Sequence, residues 1–293
     1  MKRIWVIALL ALGVALASGD AEAKKKRRSK AHSQAASTST IGSRDNNTLC
    51  NGGVMIIADD QIKGCTALIA SRRLGREHRA TAYYNRGNAY VGKNDFARAI
   101  DDYGQALALR NGYAEALFNR AVAYRISGNP LAAVADYTSA LALTPNDADA
   151  LAGRGMAYVS LAKHERALED FNRAIALKPG HVGALTQRGH ANVRAHLWAP
   201  AIADYDAALS IARANIEAYY GRGVAKVYSG DIKGGQVDIA SALAGDTGIT
   251  GRMTTLGIPP PQIIGGETPT PIKREEKPKE VEDGSKTEDP AKP

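Results

Sequence analysis

The passage Tyr83-Tyr84-Asn85-Arg86-Gly87-Asn88-Ala89-Tyr90 decides the fold, because its central tripeptide returns. Asn119-Arg120-Ala121 stands 34 residues on. Gly153-Arg154-Gly155, Gln187-Arg188-Gly189 and Gly221-Arg222-Gly223 follow at the same step. Five copies keep register without an insertion. A fixed period of about 20–50 residues marks a chain built by stacking one supersecondary unit. Other columns keep the same step. They are a small residue at Ala99, Ala133, Ala167, Ala201 and Gly235, a bulky one at Tyr103, Tyr137, Phe171, Tyr205 and Ile239, and alanine at Ala106, Ala140, Ala174, Ala208 and Ala242. Tyr90, Tyr124 and Tyr158 form a further column that lapses at Asn192 and Lys226.

Each copy divides into two helical patterns. In the first copy these are Ala82–Gly92 and Phe96–Ala108, with the turn Gly92-Lys93-Asn94-Asp95 between them. Pro145 and Pro179 stop second helices, since proline lacks the N–H and clashes with the preceding turn. Pro130 and Pro200 fall in the first turn of a second helix, where proline is tolerated. Small columns allow close helix approach, and bulky columns fill the space between helices.

On these residues the chain resembles the tetratricopeptide repeat family. The family period is 34, with small, aromatic and alanine columns and a frequent terminal proline. The resemblance covers residues 80–249 as units 80–113, 114–147, 148–181, 182–215 and 216–249. It implies an all-α fold, a right-handed superhelical solenoid of five helix-turn-helix units. A segment 46–79 precedes them and looks like a degenerate unit, with Cys65 standing 34 before Ala99. The arrangement of export signal, paired cysteines and repeats is similar to exported repeat proteins of alphaproteobacterial type.

Two columns are strict. Arg86, Arg120, Arg154, Arg188 and Arg222 are each followed 16 residues later by Asp102, Asp136, Asp170, Asp204 and Asp238. A bare arginine row would bind anions. A matched carboxylate for every cation favours a structural ladder that ties neighbouring helices and sets register.

The resemblance further implies that the first helices line a concave groove. Its candidate residues are Tyr84, Asn85, Asn88, Phe118, Asn119, Val122, Arg125, Met156, Gln187, His190, Arg194, Tyr220 and Tyr228. Aromatic anchors, amides and two arginines suit an extended or helical peptide, and Asn85 and Asn119 suit its backbone. Family members that bind chaperone C-termini use a carboxylate clamp. Asn88 and Asn119 match its asparagines, but Tyr84, Asp149 and Gly153 stand where basic residues are required. That activity is not carried over. His164, His181, His190 and His196 do not converge at helical spacing, and no metal or cofactor is expected. Trp198 shares the column of Phe96 and Ile232, which points to packing.

The ends read differently. Lys2 and Arg3, the apolar run Ile4–Ala17 and Ala21-Glu22-Ala23 form a three-part secretory signal over 1–23. The run of 14 residues is short for a membrane span of about 20. Lys24, Lys25, Lys26, Arg27, Arg28 and Lys30 then oppose translocation, so an uncleaved anchor is the alternative. The basic, Ser/Thr-rich stretch 24–45 reads as a disordered arm. Cys50 and Cys65 are the only cysteines, and an exported chain is expected to join them. The other reading is two buried thiols. A short capping helix is expected over 250–258. Of the 12 prolines 8 fall between Pro259 and Pro293, so 259–293 reads as a disordered tail.

The net charge of +8 is concentrated before the repeats, since residues 80–245 carry 17 Lys/Arg against 15 Asp/Glu. A nearly neutral repeat region argues against specific nucleic-acid binding. There is no phosphate-binding glycine loop, paired zinc-ligand motif or nucleophile motif, and five repeats leave no room for a catalytic domain. The expectation is a non-enzymatic, periplasmic or secreted scaffold that holds a protein or peptide in the groove. The alternatives are a tether whose residues 24–30 bind an anionic membrane or wall polymer, and an accessory subunit without chemistry of its own.

Overall fold

The computed structural model describes residues 45–52 and 56–261. Residues 1–23, where an export signal is expected, the basic run 24–30 and residues 262–293 lie outside them. The described residues form helices and connecting turns, with no strand among them. Among the described residues a helix pair comes first, α1 (Asn46–Asn51) and α2 (Ala58–Ala70). Five further pairs follow: α3 (Arg76–Gly92) with α4 (Phe96–Leu109), α5 (Ala114–Ile126) with α6 (Pro130–Leu143), α7 (Ala148–Ser160) with α8 (His164–Leu177), α9 (Val182–Arg194) with α10 (Trp198–Ile211), and α11 (Ile216–Ser229) with α12 (Ile232–Gly245). The last helix among the described residues is α13 (Ile249–Thr255).

The helices differ from the sequence reading at two edges. Helix α3 begins at Arg76 rather than at Ala82. The Arg76 side chain reaches the carbonyls of Ala108 and Leu109, which the end of α4 leaves without intrahelical partners. The closing helix covers Ile249–Thr255, and a left-handed Gly257 (φ 77°) turns the chain out of it. The pair α1–α2 packs onto α3, and Cys50 and Cys65, both buried, form a disulfide with Cα atoms 4.4 Å apart.

Turn chemistry repeats with the period. The residue two before each second helix has positive φ: Asn94, Gly128, Ala162, His196 and Gly230. The next residue is the N-cap. Asp95, Asn129 and Asp231 each accept a hydrogen bond from the backbone N–H three residues on.

Small columns decide how closely helices approach. A Cβ on Gly87, Gly155 or Gly189 would lie 2.6–2.7 Å from the ring of Tyr103, Phe171 or Tyr205. These rings are at most 1% exposed. A ring also reaches the following unit. Where the bulky residue is Tyr137 the next first helix offers Gly153, and a Cβ there would meet the phenol oxygen at 2.6 Å. Tyr205 has Gly221 in the same relation. Phe171 carries no hydroxyl, and the corresponding position holds Gln187.

First helices of successive units touch one another (α3 with α5, α5 with α7, α7 with α9, α9 with α11), whereas successive second helices do not. The first helices therefore line the inner, concave side of a solenoid and the second helices splay on the outside. Helix α13 occupies the place of a sixth first helix, and its Ile249 and Met253 are fully buried.

Candidate functional site: the concave groove

The groove rests on the arginine–aspartate columns, which set the spacing of its units. Arg86, Arg120, Arg154 and Arg222 each clasp their aspartate with two nitrogens at 2.6–2.8 Å. Arg188 does the same to Asp204 at 2.5–3.2 Å. The remaining nitrogen reaches back to the preceding unit. Arg154 Nη1 donates to Thr138, Arg188 Nη1 to Asn172 and Arg222 Nη1 to Asp206, each 16 residues earlier. Each of these guanidinium groups ties two second helices to one first helix. Hydrogen bonding to the carboxylate raises the pKa of Arg86, Arg120, Arg154 and Arg222 above the ordinary arginine value, so the clasps stay charged.

In the first two units the groove residues form an amide–phenol network. The Asn119 side-chain N–H group donates to Tyr84 Oη at 3.1 Å and to Asn88 Oδ1 at 2.9 Å. Asn88 Oδ1 also accepts from the Tyr103 hydroxyl at 2.7 Å. Both Asn119 donors are thus used inside the fold, so they are not offered to a ligand backbone. The Asn85 amide makes a long contact of 3.5 Å to Asn51 of α1. Tyr84 lies between Tyr103 and Tyr113, with ring centroids 5.9 and 5.1 Å away. Phe118 meets Tyr137 edge-on at 5.7 Å.

Tyr84, Phe118, Val122 and Met156 are half-buried, each leaving part of its apolar surface to solvent on this face. Arg125 sits among them. Its Nε is buried without a hydrogen-bond partner, while the guanidinium makes a side-chain hydrogen bond with Tyr137.

Two candidate groove residues are core residues instead. His190 is 2% exposed and Tyr220 is 0% exposed. The reason is local. His190 packs against the Tyr205 ring at 5.7 Å, and Tyr220 is buried with α13. Burial, with the positive Arg194 beside it, pushes the His190 pKa down to about 3, so the ring is neutral at physiological pH.

Arg194 and Tyr228 face the chain's own closing segment. Gly257 lies against the Arg194 stem, and Arg194 Nη1 is 3.4 Å from the Leu256 carbonyl. Ile258 is fully buried in the same cluster as Val193 and Val224. A cavity of about 260 Å³ remains between Trp198, Tyr228 and Gly257–Pro259. The groove is open over the first three units and covered over the last two, and periodicity could not reveal this, because residues 256–259 lie outside the repeat.

The other histidines have separate places. His181 Nδ1 accepts the Ala184 backbone N–H as an N-cap, which leaves the proton on Nε2, 3.0 Å from Asp149 Oδ1. His196 stands in a turn beside Trp198, and Trp198 stacks on Tyr228 at 5.0 Å. Among the described residues no group of three or more His, Cys, Asp or Glu is placed to hold a metal, and no helix is long and apolar enough to cross a membrane.

Sequence-family models for the tetratricopeptide repeat match residues 84–148 and 148–181. Together with the packing of consecutive helix pairs, they define the class of the repeat region: the chain carries tetratricopeptide repeats, a helical scaffold of the kind that serves protein–protein interaction. Among solved structures it is similar to MamA, at 25% identity and a TM-score of 0.50 over 58% of this chain and 92% of that one. YrrB, described as a TPR protein with an unusual peptide-binding site, aligns at 21% identity and 0.50 over 64% and 94%. A MamA RS-1 double mutant aligns at 17% and 0.53 over 59% and 97%. At these identities YrrB and the mutant speak for the fold alone. Curated protein sequences returned no match.

Proposed function

We propose that the chain is an exported, non-enzymatic adaptor of the cell envelope that holds a partner's peptide segment along the open part of its groove. The supporting observation is Arg125. The Arg125 guanidinium, which bonds Tyr137 within the fold and lies beside half-buried Phe118, Val122 and Met156, gives a charged and apolar surface that suits a peptide with apolar side chains and a carboxylate. The export pattern of residues 1–23 supports the compartment. The preformed solenoid lowers the ordering cost of binding. The amide network of Tyr84, Asn88 and Asn119 holds the groove wall, so specificity rests on Arg125 and its apolar neighbours.

The test is affinity capture from an envelope fraction with wild type, Arg125→Glu and Phe118→Ala. A protein captured by wild type and lost from both variants supports groove binding. Capture unchanged in both variants overturns it. Deletion of residues 24–30 leaves capture intact on this reading and abolishes it on the tether reading.

A further inference from the structure

The tyrosine column that lapses after Tyr158 leaves a place unfilled on the outer side of the solenoid. In the first three units Tyr90, Tyr124 and Tyr158 occupy one register position, each under an arginine. Arg98 lies 4.5 Å from the Tyr90 ring centroid, Arg120 lies 5.8 Å from Tyr124, and Arg154 and Arg166 lie 5.9 and 5.8 Å from Tyr158. In the fifth unit the position holds Lys226, whose Nζ reaches Asp238 at 2.9 Å. In the fourth unit it holds Asn192, whose short side chain donates to Asp204 Oδ2 at 3.0 Å. The arginine that lies over the ring in the first and third units, Arg98 or Arg166, is also gone there, since Pro200 takes that register position.

The result is a cavity of about 340 Å³ between the second helices α8 and α10 and the first helix α9. Its walls are those of a ring seat. Arg188 forms one side, held by Asp204 and Asn172. Leu168, Pro200 and Ala203 supply apolar surface. A guanidinium and a proline ring both pack favourably on an aromatic face. Residues 24–44 and 262–293 contain no Phe, Trp or Tyr, so neither of these segments carries a ring for the seat.

We infer that this cavity binds an aromatic side chain, a tyrosine-like phenol, presented by a partner protein, at a second contact site on the face opposite the groove. The inserted ring takes the place that Tyr158 fills in the unit before, with Arg188 at one side and Pro200 over it. This site is independent of the groove reading.

The experiment uses p-cresol, the tyrosine side chain alone, titrated into the full chain and followed through the NMR signals of the Asn192 side-chain amide and the Arg188 Nε–H. Saturable shifts of both are expected, with tert-butanol giving none at equal concentration. Asn192→Tyr restores the column and should weaken the probe at least about tenfold. Ala203→Met, a change at an exposed helix position, should block the seat from the other wall and gives the same reading should the first variant misfold. Arg125→Glu should leave the shifts unchanged, which separates this site from the groove. Absence of shifts up to the solubility of p-cresol, equal shifts from tert-butanol, or full binding in the folded Asn192→Tyr and Ala203→Met variants overturns the inference.

Discussion

Single atoms decide whether two helices of this solenoid can meet. Gly153 is the example, because the Tyr137 ring and hydroxyl occupy the space where its Cβ would project. Gly153→Ala should cost about 1–3 kcal/mol, the range for overpacking a filled core. Adding Tyr137→Phe, which removes the hydroxyl, should recover part of the loss; urea unfolding of the single and double variants checks this. His190 gives a pH-dependent counterpart. Its pKa is about 3 in the fold, against an unfolded value near 6.5. The unfolded chain therefore binds a proton first as pH falls. The stability is fully present above about pH 6.5 and declines towards pH 3 by up to about 1.4 kcal/mol per pH unit from this group. His190→Val, the residue that Val122 and Val224 supply in this register, should flatten that slope by one proton in unfolding measured between pH 4.5 and 7. An unchanged slope refutes the assignment.

At the scale of the helix, capping chemistry accounts for an irregularity in the repeat. Asp95, Asn129 and Asp231 cap their second helices, whereas Lys163 and Leu197 do not. The backbone at all five caps has nearly the same conformation, with ψ between 68° and 74°. The donor differs. Three residues after Lys163 stands Arg166, which has a backbone N–H, and three after Leu197 stands Pro200, which has none. Lys163→Asp should therefore raise stability by about 1 kcal/mol, while Leu197→Asp should gain clearly less. Thermal unfolding of the two variants side by side tests the contrast, and an equal gain in both would remove the explanation. The same Pro200 forms a wall of the outer cavity, so one proline serves both local structure and surface.

For the whole molecule, each unit packs chiefly on its neighbours, so stability is close to a sum of units and interfaces. The two ends are anchored differently. At the N-terminal end the disulfide closes a loop of 15 residues, which contributes roughly 3 kcal/mol in the chain-entropy model. At the C-terminal end Ile249, Met253 and Ile258 bury fully against the last units. Replacing Cys50 and Cys65 by Ala should therefore speed amide hydrogen exchange in α1 and α2 while leaving α7 to α10 unchanged. Uniform loss of protection along the chain would show that the units unfold as one. The closing segment also covers Arg194, which leaves the concave face open over the first three units.

The amino-acid sequence determined the period, the pairing of helices and the positions that must be small, because each depends on contacts repeated every 34 residues. It also displayed the lapse of the tyrosine column at Asn192, although not that a cavity results. Tertiary packing alone decided which face each groove residue presents. His190 shares the register of the half-buried Val122 and Met156, yet the Tyr205 ring and the end of the solenoid bury it. Asn119 looks available in the sequence but spends its donors on Tyr84 and Asn88, since side chains 31 and 35 residues away meet it only after the units stack. The fold over Arg194 likewise arises from a contact 62 residues distant in the chain. Periodicity carries information about what neighbouring units share, and the open groove, its cover and the outer cavity depend on where they differ.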